Sequence, residues 1–89
     1  MTDNEKKQGT PVTPVWIRKR SGLTQRQASD LIGVRESTIS EWERGVSSPS
    51  VLLLPKIMNT YQCTADEVIK AFENLHKQKQ QQAQLVASN

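Results

Sequence analysis

Few side chains in this sequence are placed to make or break a covalent bond. Cys63 and His76 are each the single residue of their kind. One cysteine forms no intrachain disulfide, and this pair is too small a ligand set for zinc. No glycine-rich phosphate cradle, no Cys–His couple and no carboxylate pair suited to a cleft is present, so no catalysis, metal, cofactor or small-molecule ligand is expected. Chemistry of another kind is concentrated between Val34 and Arg44. Val34, Ile39 and Trp42 belong on one face of a short helical segment. Arg35, Glu36, Ser37, Ser40, Glu41 and Arg44 are left on the other face. Guanidinium, carboxylate and hydroxyl groups arrayed in this way donate and accept directional hydrogen bonds, which suits recognition.

Such a face needs rigid support. The chain has 89 residues, 35% hydrophobic and 24% charged, enough for one small folded domain. Residues 1–12 are polar and predicted to be a disordered tail. Residues 77–89, KQKQQQAQLVASN, form a Gln-rich tail whose start can extend a helix and whose end should fray. The domain is therefore placed at 13–76, a length that only helices with short connections use efficiently. Its punctuation is helical. Thr13-Pro14 is an N-cap followed by proline at the first helical position, and that helix ends at Ser21-Gly22. Thr24 and Gln27 form a capping box, and the helix they open stops at Gly33 after Ile32. The third helix covers 36–44 and ends at Gly45. A loop at 47–50 leads to a fourth helix starting near Leu54, because Pro55 would break an earlier start. Thr64 and Glu67 form a second capping box. It opens a fifth helix with Val68, Ile69, Phe72 and Leu75 as its apolar stripe. The Leu52-Leu53-Leu54 run is assigned mainly to the core, with a dimer contact as its second use. No strand pattern of useful length occurs, so the fold class is all-α.

Charge alone does not name a partner. Twelve Lys and Arg against nine Asp and Glu give +3. Within 15–75, however, eight bases face seven acids. Affinity for a polyanion would have to come from local placement. Arg18-Lys19-Arg20 is the one basic cluster, and a solvated helix end is an equal reading of it. The apolar runs are far shorter than the roughly 20 residues of a membrane span. The N-terminus lacks the apolar stretch of a signal peptide. A cytoplasmic protein is expected.

Two short helices joined at Gly33-Val34, with the second held by its inner face, match a helix-turn-helix, whose second helix enters a DNA major groove. Residues 17–69 resemble the phage repressor/Cro helix-turn-helix family, often called Xre-like. The resemblance is carried by Ile17-Arg18, Gly22-Leu23-Thr24-Gln25, Ile32-Gly33-Val34, Ser37-Thr38-Ile39-Ser40, Trp42-Glu43-Arg44-Gly45, Pro49-Ser50 and Asp66-Glu67. It implies a compact five-helix repressor-like domain, of bacterial or phage type, that regulates transcription as a homodimer on palindromic double-stranded DNA. It implies base-edge contacts from Glu36, Ser37 and Glu41, with Arg35 and Ser40 beside them. It implies phosphate contacts from Thr24, Gln25, Thr38 and Arg44, and a structural salt bridge between Arg18 and Glu43.

The sequence departs from the family at three places. Arg35 stands where a Ser or Thr often caps the recognition helix, and its guanidinium is available for a phosphate or a guanine instead. Ser29 replaces the usual alanine, and its hydroxyl needs a partner such as a carbonyl one turn back. Glu36 and Glu41 put negative charge toward a polyanion. They must accept from cytosine amines or face a protein partner. The second use defines an alternative: an antitoxin or adaptor whose helix-turn-helix domain acts with a partner protein. Trp42 and Cys63 are assigned to packing. Trp16 is either a partly covered surface aromatic or a partner contact.

Overall fold

Cap residues begin the helices where their side chains can satisfy free backbone amides. A computed structural model describes residues 11–87, with side chains to residue 80. Helix α1 is Pro14–Arg20, α2 is Gln25–Ile32, α3 is Glu36–Arg44, α4 is Leu54–Tyr61 and α5 is Ala65–Ala87. A 3-10 turn, Val51–Leu53, leads into α4. The Thr13 hydroxyl accepts from the Trp16 amide at 3.3 Å. The Thr24–Gln27 box is closed in both directions, at 2.9 and 3.0 Å. Thr64 and Glu67 close the second box at 3.3 and 3.2 Å. Among the described residues there is no strand, and the domain is all-α.

The core is one cluster. Ile17, Ala28, Ile32, Ile39, Trp42, Ile57, Tyr61, Val68 and Ala71 are buried, and every helix contributes to it. Fully burying a large aliphatic side chain stabilises by about 1.5–3 kcal/mol. The inner faces of α2 and α3 are therefore fixed by Ile32 and Ile39, both fully covered. Ala28 meets the core with no exposed surface, so a larger side chain there would have to displace its packed neighbours. The Ser29 hydroxyl donates to the Arg26 carbonyl at 2.7 Å, one turn back.

Three details differ from the sequence reading. Val51 and Leu52 are 77% and 85% exposed, so the apolar run reaches the core only through Leu53 and Leu54. The 3-10 turn there rotates successive residues by about 120°, which turns the run's first members outward. On α5 the stripe is Val68, Ala71 and Phe72, while Ile69 is 52% exposed. Val12, placed in the tail, packs on the core, and its carbonyl accepts from the Asn74 amide at 2.8 Å. Pro11 of the expected tail is exposed, and residues 1–10 lie outside the described residues. The Gln-rich stretch continues α5 with helical backbone as far as Ala87, and residues 88–89 lie outside the described set.

The turn between α2 and α3 depends on Gly33. Its φ of 90° is left-handed, and its amide donates to the Ser29 carbonyl at 2.8 Å. A Cβ there would find only ordinary van der Waals contact, so the penalty for a side chain is one of backbone conformation. Gly33→Ala is expected to destabilise the domain by about 1–2 kcal/mol in urea unfolding, the penalty of a left-handed L-residue, with no change in helix content before the transition.

Candidate nucleic-acid interface

The outer face of α3 is built from the inside out. Ile39, Trp42 and Glu43 are its buried residues. Glu43 is a carboxylate only 9% exposed, and it survives there because its oxygens are filled. Arg18 Nε of α1 donates to Oε2 at 2.6 Å, and Arg18 Nη2 donates to Oε1 at 3.0 Å. Gln25 Nε2 of α2 donates to the same Oε1 at 2.9 Å. Arg18 Nη1 donates to the Leu23 carbonyl at 2.9 Å, in the loop between α1 and α2. One carboxylate thus ties three helices. The Arg18 guanidinium is held above its ordinary pKa, chiefly by the hydrogen bond to Glu43 and against the opposing effect of burial. Tyr61 closes the apolar side, and its phenol is pushed up to about 12, first by burial and then by the Glu43 charge.

With that anchor, Arg35, Glu36 and Ser37 are exposed at the start of α3, and Arg44 is exposed at its end. Thr38, Ser40 and Glu41 lie half-buried between them. Arg35 occupies the N-cap position in extended backbone and makes no side-chain cap bond, leaving its guanidinium outward. Arg44 Nε donates to the Ser40 hydroxyl at 3.2 Å along the outer face. The Ser47 hydroxyl approaches Glu41 Oε1 at 3.4 Å, which tethers that carboxylate toward the loop after α3. The N-terminus of α2 presents backbone amides beside Thr24 and Gln25, the usual setting for an anion. Gln25 spends one amide N–H on Glu43, and among the described residues the second has no partner.

The basic cluster does not form a free patch. Arg18 is bonded to Glu43, and Arg20 is bonded to Glu67 at 2.9 and 3.3 Å. The Glu67 carboxyl is held below its usual range, first by Arg20 and then by the Thr64 amide. The Arg20 guanidinium also lies 5.0 Å from the Trp16 ring centroid. Trp16 is therefore a partly covered aromatic, packed on the core on one side and capped by a cation on the other. Burial pushes the Cys63 thiol up, which disfavours the reactive thiolate. Among the described residues no His, Cys, Asp and Glu group could hold a metal. No helix among them is long and apolar enough to cross a membrane.

Sequence reasoning missed the role of Gln25 as a ligand of Glu43. It also missed two lysines: Lys56 on α4, near Gly33, and Lys79 on α5, near Gly45. The latter contacts join residues 23 and 34 positions apart, and no local motif signals them.

A tight left-handed turn between two packed helices, with the second presenting a polar outer face, defines a helix-turn-helix DNA-binding domain. Residues 16–68 match the family model described as Helix-turn-helix, more than half of the chain. The protein belongs to this Xre-like helix-turn-helix family. The HTH-type transcriptional regulator PuuR of Escherichia coli (strain K12) is 37% identical over 51 residues, which are 57% of this chain and 28% of that protein. The regulator of the same name from Shigella flexneri matches to the same extent. The chain thus spans only 28% of the length of these curated relatives. No solved structure matches significantly.

If Glu43 ties the site together, Arg18→Ala and Glu43→Ala should each destabilise by about 3 kcal/mol, the usual loss on orphaning one member of a buried pair. The double variant should lose less than the sum, by about 1–3 kcal/mol. Urea unfolding of all four proteins checks this, and strict additivity would deny the coupling.

Proposed function

We propose that this protein is a sequence-specific DNA-binding regulator of transcription that acts by binding and not by catalysis. Its α3 helix lies in the major groove. Arg35, Glu36, Ser37, Ser40 and Glu41 meet base edges, and Thr24, Gln25, Thr38 and Arg44 meet phosphates. The observation that carries the reading is the uncapped Arg35. A residue that leaves the recognition helix without a side-chain cap weakens the fold, and its guanidinium is outward at the helix start. That is the position from which a bidentate contact to guanine or a phosphate can be made. Glu36 and Glu41 fit the same reading as acceptors for cytosine N4 amines, which lend specificity while weakening non-specific affinity.

Binding as a homodimer to a two-fold related site follows from size. A single small module reads few base pairs, and paired half-sites about one helical turn apart are the common solution. The exposed Val51 and Leu52 beside the loop after α3 give such a dimer an apolar contact.

Selection of a randomised duplex pool on the purified chain at about 150 mM salt, where weak backbone binding is screened, tests the reading. An enriched motif with two-fold related halves is expected. Failure to enrich any motif would assign the acidic face to a protein partner.

Two substitutions probe individual residues. Arg35→Ser should raise stability by about 1 kcal/mol, because it restores the missing cap, and should weaken DNA binding. Gain of stability with unchanged binding would remove Arg35 from the interface. Glu41→Ala should relax preference at one base position with little loss of stability. An unchanged selected motif would remove Glu41 from the readers.

A further inference from the structure

The recognition surface has a charge deficit. On α3 and its cap, Glu36 and Glu41 are matched by Arg35 and Arg44, and Glu43 is taken by Arg18. Arg20 is paired with Glu67, and Arg26 lies 3.7 Å from Asp30. The surface that must approach a polyanion therefore carries no net attraction of its own.

Two lysines from other elements are placed to supply it. Gly33 ends α2 just before the α3 cap, and Gly45 ends α3, so the two glycine turns lie at opposite ends of the recognition helix. Lys56, in the first turn of α4, brings its ammonium to 3.7 Å from the point where a Cβ on Gly33 would stand. Lys79, in the Gln-rich part of α5, lies directly over Gly45. Its Cδ is 2.5 Å from the corresponding point, so no side chain fits at 45 unless this lysine moves. Lys79 Nζ donates to the Arg44 carbonyl at 3.4 Å, at the negative end of the α3 dipole. That contact uses one of three ammonium donors. Both lysines are exposed, and among the described residues neither is paired with a carboxylate.

We infer that Lys56 and Lys79 are DNA-phosphate contacts that bracket the recognition helix, one at each end, and supply the sequence-independent part of the affinity. The inference rests on the DNA-binding reading above. A nine-residue helix is about 13 Å long. A helix lying in the major groove is bordered by a phosphate strand on either side, and cations on flexible stems at its two ends approach those strands. Lysine suits the task, being a compact, strongly hydrated charge on a flexible stem that needs no fixed fork geometry. The extension of α5 thereby acquires a use. It carries Lys79 past the end of the core to the C-terminus of α3.

The test is a salt series on the full chain with Lys56→Gln, Lys79→Gln and the double variant. The probes are a duplex carrying the enriched motif and a scrambled duplex of the same length. Lys70→Gln is the control for net charge, since residue 70 is nine positions before Lys79 and so on the opposite side of α5. Far-ultraviolet circular dichroism verifies that each variant is folded. Each single variant is expected to reduce the slope of log K against log salt by about 0.9, and the double by about twice that. The loss should be equal on both duplexes, and Lys70→Gln should leave the slope unchanged. A double variant with the slope of the unmodified protein would overturn the inference and leave the DNA-binding reading standing. So would a Lys70→Gln slope reduced as much as that of either single variant. An unmodified protein that binds neither duplex would overturn the DNA-binding reading and the inference together.

Discussion

The position of α3 depends on one buried carboxylate. Burying the Glu43 carboxylate without partners would carry a penalty of several kcal/mol. Arg18 and Gln25 supply those partners from α1 and α2. A guanidinium fork meets a carboxylate in one planar geometry. The bond therefore fixes the rotation of α3 about its own axis as well as its distance from the other helices. Hydrophobic packing by Ile39 and Trp42 holds α3 down, but apolar contacts are non-directional. The polar network determines which side chains point outward. Rotating α3 by one residue in the sense that exposes Glu43 and Ile39 would bury Thr38 and Glu41 in their place.

The distribution of cations separates two tasks. Arg18 and Arg20 belong to the longest basic run in the chain, yet Arg18 is spent on the buried Glu43 and Arg20 on Glu67 at the surface. The outer face of α3 is left electrically balanced and rich in specific donors and acceptors. Phosphate contacts position a protein on DNA, and base contacts select the sequence. In the proposed DNA-bound arrangement, a balanced face keeps non-specific affinity low and leaves attraction to cations at its edges.

Much of this was legible in the residues. The cap at Thr13, the boxes at Thr24 and Thr64, and the glycines at 33 and 45 are local signals, because their chemistry acts within one turn of helix. Periodicity identified Ile39 and Trp42 as inward for the same reason. The errors lie where packing or long-range contact decides. Leu52 reads as core within its leucine run, but the 3-10 turn points it outward. Ile69 fits an apolar stripe, but the buried face of α5 runs through Val68 and Ala71, and Ile69 lies one residue off it. Lys79 looked like part of a low-complexity tail. Only the path of α5 brings it to Gly45, 34 positions earlier.

Methylation interference on a selected duplex tests the central claim most directly. A methyl group on guanine N7 projects into the major groove, whereas one on adenine N3 projects into the minor groove. With α3 in the major groove, N7 methylation of guanines should block binding at two clusters about one helical turn apart, and N3 methylation of adenines within those clusters should be tolerated. Interference confined to adenine N3, or absent from both, would contradict the placement of α3 and with it the account of the interface.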